Sequence, residues 1–102
     1  MRRGEVWLAQ VGRKRRPVLV LTRDEVIDVR ALVTVAEITT EARGLAVEVD
    51  LEVVDVGLEQ PSVVNCDGLH TVARSTLTAM VGQVDGETMR RVCAATTYAI
   101  GC

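Results

Sequence analysis

The chain has very few aromatic residues from which to build a core. It contains no Phe, one Trp and one Tyr, and aromatic residues make up 2% of the 102 residues. Hydrophobic residues nevertheless account for 48% of the sequence, so the core must be made of Val, Leu, Ile and Ala. Because β-branched residues such as Val pack well on a pleated sheet, this composition predicts a strand-rich protein.

Three further absences narrow the class of protein. The three cysteines are odd in number and form no CxxC pair, which argues against a disulfide framework and against a cysteine-held metal. No apolar run approaches the length of a membrane span, and no signal-peptide core follows Arg2-Arg3. We therefore expect a single domain over residues 1–102 in the reducing cytoplasm, with no metal, cofactor or membrane segment.

The chain also lacks an excess of positive charge. Its formal net charge is −2, which excludes a uniformly basic surface of the kind that coats nucleic acid. The charges are segregated along the sequence, however, because six of the twelve basic residues lie within the first sixteen positions. A local basic patch is therefore expected near four consecutive cations, which are Arg13, Lys14, Arg15 and Arg16.

Apolar runs separated by turn residues predict a series of strands and one final helix. Strands are predicted over 4–11, 17–22, 31–38, 46–54, 62–65, 69–72 and 78–84. The polar connection 23–30 is expected to hold one helical turn. Asp85 and Gly101 mark the start and end of an amphipathic helix. The pattern predicts a mainly β fold with a C-terminal α-helix, built as a small curled antiparallel sheet or barrel.

An arginine at the mouth of an apolar strand is the strongest functional signal. Arg16 precedes Pro17, which is predicted to be the first residue of the second strand. Arg16 and Thr39 are equidistant from a point between Ile27 and Asp28, so an antiparallel pairing of strands two and three places them opposite each other. A guanidinium and a hydroxyl at this position could bind one phosphate together. The alternative interpretation is that the two residues form only a capping hydrogen bond or an exposed pair at the sheet edge.

Five short motifs, in order, resemble the MazF/PemK family of toxin endoribonucleases over nearly the whole chain. They are Arg-Gly-Glu-Val-Trp at 3–7, Arg-Pro-Val-Leu-Val-Leu at 16–21, Val-Ala-Glu-Ile-Thr at 35–39, the segment 62–72 and Gly-Gln-Val at 82–84. The resemblance implies an SH3-like barrel that dimerises, binds a cognate antitoxin and cleaves single-stranded RNA without a metal. It also implies that Arg16 and Thr39 are the catalytic pair, acting while the ribose 2′-OH attacks its own phosphate.

The connection between the first two strands departs from the family pattern. Many members carry a longer loop with an acidic residue there, whereas this chain has only the turn 12–15. We expect an open cleft in which Arg13, Lys14 and Arg15 contact RNA phosphates, the alternative being a solvated turn. The same cations would attract a flexible acidic segment of an antitoxin.

Four polar residues complete the predicted RNA contacts, and these are Thr40, Asn65, Asp67 and His70. Asn65 and Asp67 suit the readout of base edges, or they simply close a turn that ends at Gly68. His70 is the only histidine, and we expect it to contact RNA or support the structure rather than to transfer a proton.

Two other functions are compatible with the same fold. One is a non-nucleolytic toxin that poisons DNA gyrase, but relatives of that type carry Trp at the tip of the last helix and this chain ends without one. The other is a catalytically inactive barrel that binds RNA or a protein partner. The presence of both Arg16 and Thr39 argues against this second function.

Overall fold

The computed structural model describes residues 1–52 and 57–101, and in these residues six antiparallel strands form one sheet. The elements are β1 (Glu5–Val11), β2 (Lys14–Val20), α1 (Asp24–Ile27), β3 (Leu32–Thr39), β4 (Glu48–Leu51), β5 (Ser62–Ala73), a 3₁₀ helix (Arg74–Thr76), β6 (Leu77–Gln83) and α2 (Gly86–Ile100). The strand order is β4-β5-β3-β2-β1-β6. The mainly β fold with a C-terminal helix predicted from the sequence is confirmed.

The sheet carries an apolar core on each face, which explains the unbroken apolar run at the end of β2. On one face Leu19 and Ala36 pack with Val92 of α2, and all three are fully buried. On the other face Val18 and Val20 pack into a second cluster with other aliphatic side chains, which are Ala9, Ile27, Val33, Val35 and Leu77. Since successive side chains of a strand point to opposite faces, a central strand between two cores must be apolar at every position.

The helix α2 begins and ends at the residues that the sequence indicates. The Asp85 carboxylate accepts a hydrogen bond from the Thr88 backbone N–H at 2.8 Å, and this bond is the main cause of the lowered pKa of Asp85. Gly101 follows the last turn with a positive φ of 77°, a conformation that suits glycine. The buried positions Val92 and Ala95 face the sheet, which fixes the helix over β4 and β5.

The predicted basic turn 12–15 is wrong in its second half, which is strand. Only Gly12 and Arg13 form the turn, and Lys14 already pairs with Val11 as the first residue of β2. The short turn lets pairing with β1 continue to the tip of the hairpin, and this ladder overrides the weak strand preference of basic residues.

Pro17 therefore lies in the middle of β2 instead of at its start. It pairs with Leu8 of β1, while the pairing of β2 with β3 begins only at Val18. At Pro17 the strand has one neighbour, so the missing proline N–H costs no hydrogen bond on the β3 side.

The segments 62–65 and 69–72 form one strand, β5, and not the two predicted strands. Asn65 pairs with Glu37 and Leu69 pairs with Ala36, so the residues between them form a bulge. These are turn-forming residues by type, but the partner strand β3 continues straight past them and holds both halves of β5 in one ladder.

The segment that leads into β5 contacts the edge strand β6. The chain entering β5 passes β6 so closely that a Cβ on Gly57 would lie 2.0 Å from the carbonyl oxygen of Val81. Gly57 also has a positive φ of 70°, so both its backbone and its surroundings require glycine. The strand β4 is shorter than the predicted strand 46–54. Within it Val49 and Leu51 are buried and Asp50 is exposed, while Val53 and Val54 lie outside the described residues.

Candidate nucleic-acid cleft

A cleft of about 740 Å³ opens on the sheet face opposite α2, where β2 begins and β3 ends. Its floor is formed by apolar residues, including Val18, Val35 and Val72. Its rim carries polar and charged side chains, which are Gln10, Arg16, Glu37, Thr39, Glu41, Arg43, Asn65 and His70. Apolar walls beneath convergent polar groups are typical of a binding site.

The pairing of β2 with β3 has the register that the sequence predicts. Val18 pairs with Glu37, and Val20 pairs with Val35, so both pairs are equidistant from the point between Ile27 and Asp28. The pairing of β2 with β3 extends only as far as Val18 and Glu37, so it stops two residues short of Arg16 and of Thr39. Arg16 and Thr39 therefore lie past the last paired residues, at the open end of the two strands and in the same cleft.

Arg16 has an exposed side chain that is not neutralised by the protein. Within residues 1–52 and 57–101 its guanidinium forms no ion pair and no hydrogen bond, whereas Arg43 at the same rim lies 3.8 Å from the Glu48 carboxylate. An unpaired guanidinium at the mouth of a cleft can bind two oxygens of an anion in a fork.

The Thr39 hydroxyl makes the capping interaction that the sequence offered as an alternative. Its oxygen accepts a hydrogen bond from the Glu41 backbone N–H at 3.1 Å, just after the end of β3. This bond fixes the side chain but does not use the hydroxyl proton. Thr39 can therefore cap the strand and still donate a hydrogen bond into the cleft.

The bulge in β5 brings Asn65 and His70 to the same cleft. In a regular strand these two residues, an odd number of positions apart, would face opposite sides of the sheet. The bulge shifts the register, so that Asn65 pairs with Glu37 and His70 pairs with Val35, and both face the cleft. The His70 Nε2 lies 2.7 Å from the Glu37 Oε1, with both side chains about half exposed.

Glu37 is one of four polar cleft residues that sequence reasoning missed, and the others are Gln10, Glu41 and Arg43. In the sequence Glu37 is only one polar residue within the motif 35–39. The available signal was its spacing from Thr39, because residues two apart in a strand lie on the same face.

The basic residues near the N-terminus separate into two groups in space. Arg2 and Arg3 lie beyond the other end of β1, where the Arg2 guanidinium is 3.9 Å from Asp24 and the Arg3 guanidinium donates to the Leu21 carbonyl. The second group is exposed at the tip of the β1–β2 hairpin and forms no ion pair with the described residues; it consists of Arg13, Lys14, Arg15 and Arg16. By strand alternation Lys14 shares the face of Arg16, and Arg15 lies on the other face.

Five of the predicted RNA contacts do not line the cleft. Arg13, Lys14 and Arg15 are exposed at the hairpin tip instead. Thr40 is exposed just past the end of β3, and Asp67 is exposed on the bulge. The structure thus brings Arg16, Thr39 and His70 together with Asn65. The predicted contacts outside the lining are Arg13, Lys14, Arg15, Thr40 and Asp67.

The β3–β4 loop is held against the cleft by Glu48. Its carboxylate accepts backbone hydrogen bonds from Arg43 at 3.0 Å and from Leu45 at 3.1 Å, and its side chain is only 4% exposed. The Leu45 N–H is the main cause of the lowered pKa of Glu48, and burial opposes it while the Arg43 and Gly44 N–H groups add to it. The anchored loop carries Arg43, which lines the cleft beside Thr39.

Two observations concern other kinds of site. Among residues 1–52 and 57–101, no three His, Cys, Asp or Glu side chains are grouped so that they could hold a metal ion. In the same residues, no helix is long and apolar enough to cross a membrane.

The fold and the cleft define a small β-sheet protein with a polar cleft at the open end of two central strands, lined by an exposed guanidinium and a threonine hydroxyl. The chain matches the model of the PemK-like, MazF-like toxins of type II toxin–antitoxin systems over residues 2–99. It belongs to this family.

Curated relatives and solved structures are similar over most of the chain. "Probable endoribonuclease MazF2" of Mycobacterium tuberculosis is 36% identical over 102 residues, which cover 100% of both chains. "Endoribonuclease MazF3" of the same organism is 51% identical over 77 residues, covering 76% of this chain and 73% of that protein.

Two solved structures share the fold closely. The Mycobacterium tuberculosis toxin MazF-mt6 has a TM-score of 0.88 at 40% identity, with 95% of this chain and 96% of that chain covered. A mycobacterial endoribonuclease in complex with its cognate antitoxin has a TM-score of 0.89 at 25% identity, with 99% and 95% covered.

Proposed function

We propose that this protein is a toxin endoribonuclease that cleaves single-stranded RNA in the cleft between β2 and β3. The observation that carries the proposal is the position of Arg16 and Thr39, which lie at the open end of one strand pair and line one cleft. Membership of the PemK-like, MazF-like toxin family and relatives named as endoribonucleases support the same activity.

The proposed reaction is attack of a ribose 2′-OH on the adjacent phosphate. The O2′–P bond forms and the P–O5′ bond breaks, which yields a 2′,3′-cyclic phosphate and a 5′-OH end. The 2′-OH loses a proton and the leaving 5′-oxygen gains one. Negative charge builds on the phosphoryl oxygens in the transition state, where the Arg16 guanidinium and the Thr39 hydroxyl would donate hydrogen bonds.

The remaining polar residues would guide the RNA into this site. Lys14 lies on the cleft face of β2, and its ammonium suits a phosphate next to the cleaved one. Arg13 and Arg15 add positive potential at the hairpin tip. The other proposed RNA contacts are Thr40 and Asp67 at the periphery and Asn65 and His70 inside the cleft.

The partner that we propose is a cognate antitoxin with a flexible acidic segment, and the toxin itself would act as a homodimer in the cytoplasm. Solved relatives include an endoribonuclease bound to its cognate antitoxin. The exposed, unpaired cations at the hairpin tip and in the cleft suit an acidic chain that folds on binding. Such a segment would occupy the RNA path and block cleavage.

The proposal is tested by incubating the purified protein with total RNA in EDTA and mapping the new 5′-OH ends. We expect cuts at a limited set of sequences in single-stranded regions. An absence of cleavage at high protein concentration, with RNA still bound, would instead support an inactive RNA-binding protein. Inhibition of DNA supercoiling by gyrase without RNA cleavage would support a gyrase poison.

A further inference from the structure

We propose that Glu37, supported by Asn65 and His70, reads a guanine base in the nucleotide next to the cleaved bond. This inference rests on the proposed function and adds a sequence preference to it. It starts from the half-exposed Glu37 carboxylate, which lines the same cleft as the cations Arg16 and Arg43 and a second carboxylate, Glu41.

The position of Glu37 relative to the reacting groups suits a neighbouring nucleotide. Glu37 and Thr39 are two residues apart in β3 and face the same side, so they are separated by roughly 6.6 Å along the strand. This separation is on the scale of one nucleotide in an extended strand. A base next to the phosphate held by Arg16 and Thr39 would therefore come within reach of Glu37.

A carboxylate in this place selects for hydrogen-bond donors. The carboxylate repels the RNA phosphates. Covering it with RNA costs free energy unless hydrogen-bond donors of the RNA replace the water molecules that solvate it. Guanine alone presents two adjacent donors, N1–H and the N2 amino group, on its Watson–Crick edge. Adenine and cytosine present one amino donor beside an unprotonated ring nitrogen, and uracil presents one N–H between two carbonyls, so each would place an acceptor against a carboxylate oxygen.

The carboxylate is held in position by its neighbours. The Glu37 Oε1 lies 2.7 Å from the His70 Nε2, which donates to it because an ionised carboxylate can only accept. On the other side the carboxylate lies over Gly68, where an added Cβ would be 2.6 Å from Oε2 and 3.1 Å from the Asn65 Nδ2. The bulge and its glycine thus provide the space in which the Glu37 carboxylate lies between His70 and Asn65.

A base preference is measured with a single-stranded RNA library randomised around one cleavage site. Wild-type protein should cleave RNA with guanine at one position next to the cut at least about 10-fold faster than RNA with any other base there. Glu37→Gln should lose this preference and shift toward adenine, because a carboxamide offers one donor and one acceptor. Glu59→Gln, on an exposed carboxylate outside the cleft, is the matched control and should keep the wild-type preference.

A binding measurement tests the same subsite without cleavage. With RNA whose 2′-hydroxyls are methylated, replacing the guanine by inosine removes only the N2 amino group and should weaken wild-type binding by about 5-fold or more. The Glu37→Gln protein should bind both RNAs equally. Gly68→Ala should reduce the discrimination as well, because its Cβ displaces the Glu37 carboxylate.

The two proposals fail in different ways. RNA that is bound with guanine selectivity but never cut would overturn the proposed endoribonuclease function and leave the subsite intact. RNA that is cut without a guanine preference beside the break, or a Glu37→Gln protein with the wild-type preference, would overturn the subsite alone.

Discussion

The faces of β2 lead to a prediction about how two neighbouring cations contribute to RNA binding. Lys14 and Arg15 are adjacent and exposed, and neither forms an ion pair with the described residues. Lys14 shares the cleft face with Arg16, whereas Arg15 lies on the opposite face. Replacing either residue by Gln removes one positive charge, so the two variants have equal net charge and differ only in the face that they change.

The magnitude follows from the release of counterions by RNA. Each phosphate neutralised on a single strand contributes about 0.7 to the slope of log affinity against log salt. Lys14→Gln should lower this slope by about 0.7, whereas Arg15→Gln should leave it nearly unchanged. Between about 50 and about 200 mM salt, wild-type protein should therefore lose roughly 2.6-fold more affinity than Lys14→Gln.

The assay is equilibrium binding to a single-stranded RNA with 2′-O-methyl riboses, which lack the attacking hydroxyl. Dissociation constants measured at four or more salt concentrations give the slope for each protein. Equal slopes for Lys14→Gln and Arg15→Gln would refute the reasoning from strand faces. Equal slopes for both variants and wild type would show that the RNA path does not include the hairpin tip.

Two further predictions concern stability. The folded-state pKa of Glu48 is lowered, so its stabilisation is present above the ordinary glutamate pKa and is lost as the pH falls through the folded value. Chemical denaturation between about pH 6 and about pH 3 should show a weaker loss of stability for Glu48→Gln than for wild type, and identical pH dependence would contradict the assigned hydrogen bonds. Leu19→Ala removes a fully buried side chain and should cost about 2–5 kcal/mol. The melting temperature measured by circular dichroism should fall by at least about 8 °C. A decrease of less than about 4 °C would contradict the position of Leu19 in the core.

Local signals in the sequence were sufficient for some parts of the fold. The limits of α2 follow from the carboxylate of Asp85 and the positive φ of Gly101, which act on their own turns. The register of β2 against β3 follows from the antiparallel pairing of two consecutive strands, because residues equidistant from the centre of their connection lie opposite each other. Arg16 and Thr39 could be placed in one site for this reason.

Other parts depend on contacts with residues distant in the sequence. The sequence predicts a turn at Lys14 and Arg15, but pairing with β1 makes both residues part of β2. The sequence also predicts a turn at the bulge in β5, and only pairing with the continuous strand β3 makes the bulge part of one strand. The odd spacing of Asn65 and His70 then hides the fact that both reach Glu37.

The most direct test of the account is the single-turnover rate of RNA cleavage by Arg16→Ala. A defined single-stranded substrate is mixed with excess protein in EDTA, and Arg30→Ala, which removes an exposed arginine outside the cleft, is the matched control. Loss of one transition-state donor should slow Arg16→Ala by about 100- to 1000-fold while leaving its melting temperature unchanged. Arg16→Lys should recover little of this rate, because an ammonium cannot reproduce the planar fork.

The Arg30→Ala control should cleave at the wild-type rate. A folded Arg16→Ala protein that cleaves the same bond at nearly the wild-type rate would contradict the central claim, which is that Arg16 stabilises the charge that builds on the cleaved phosphate.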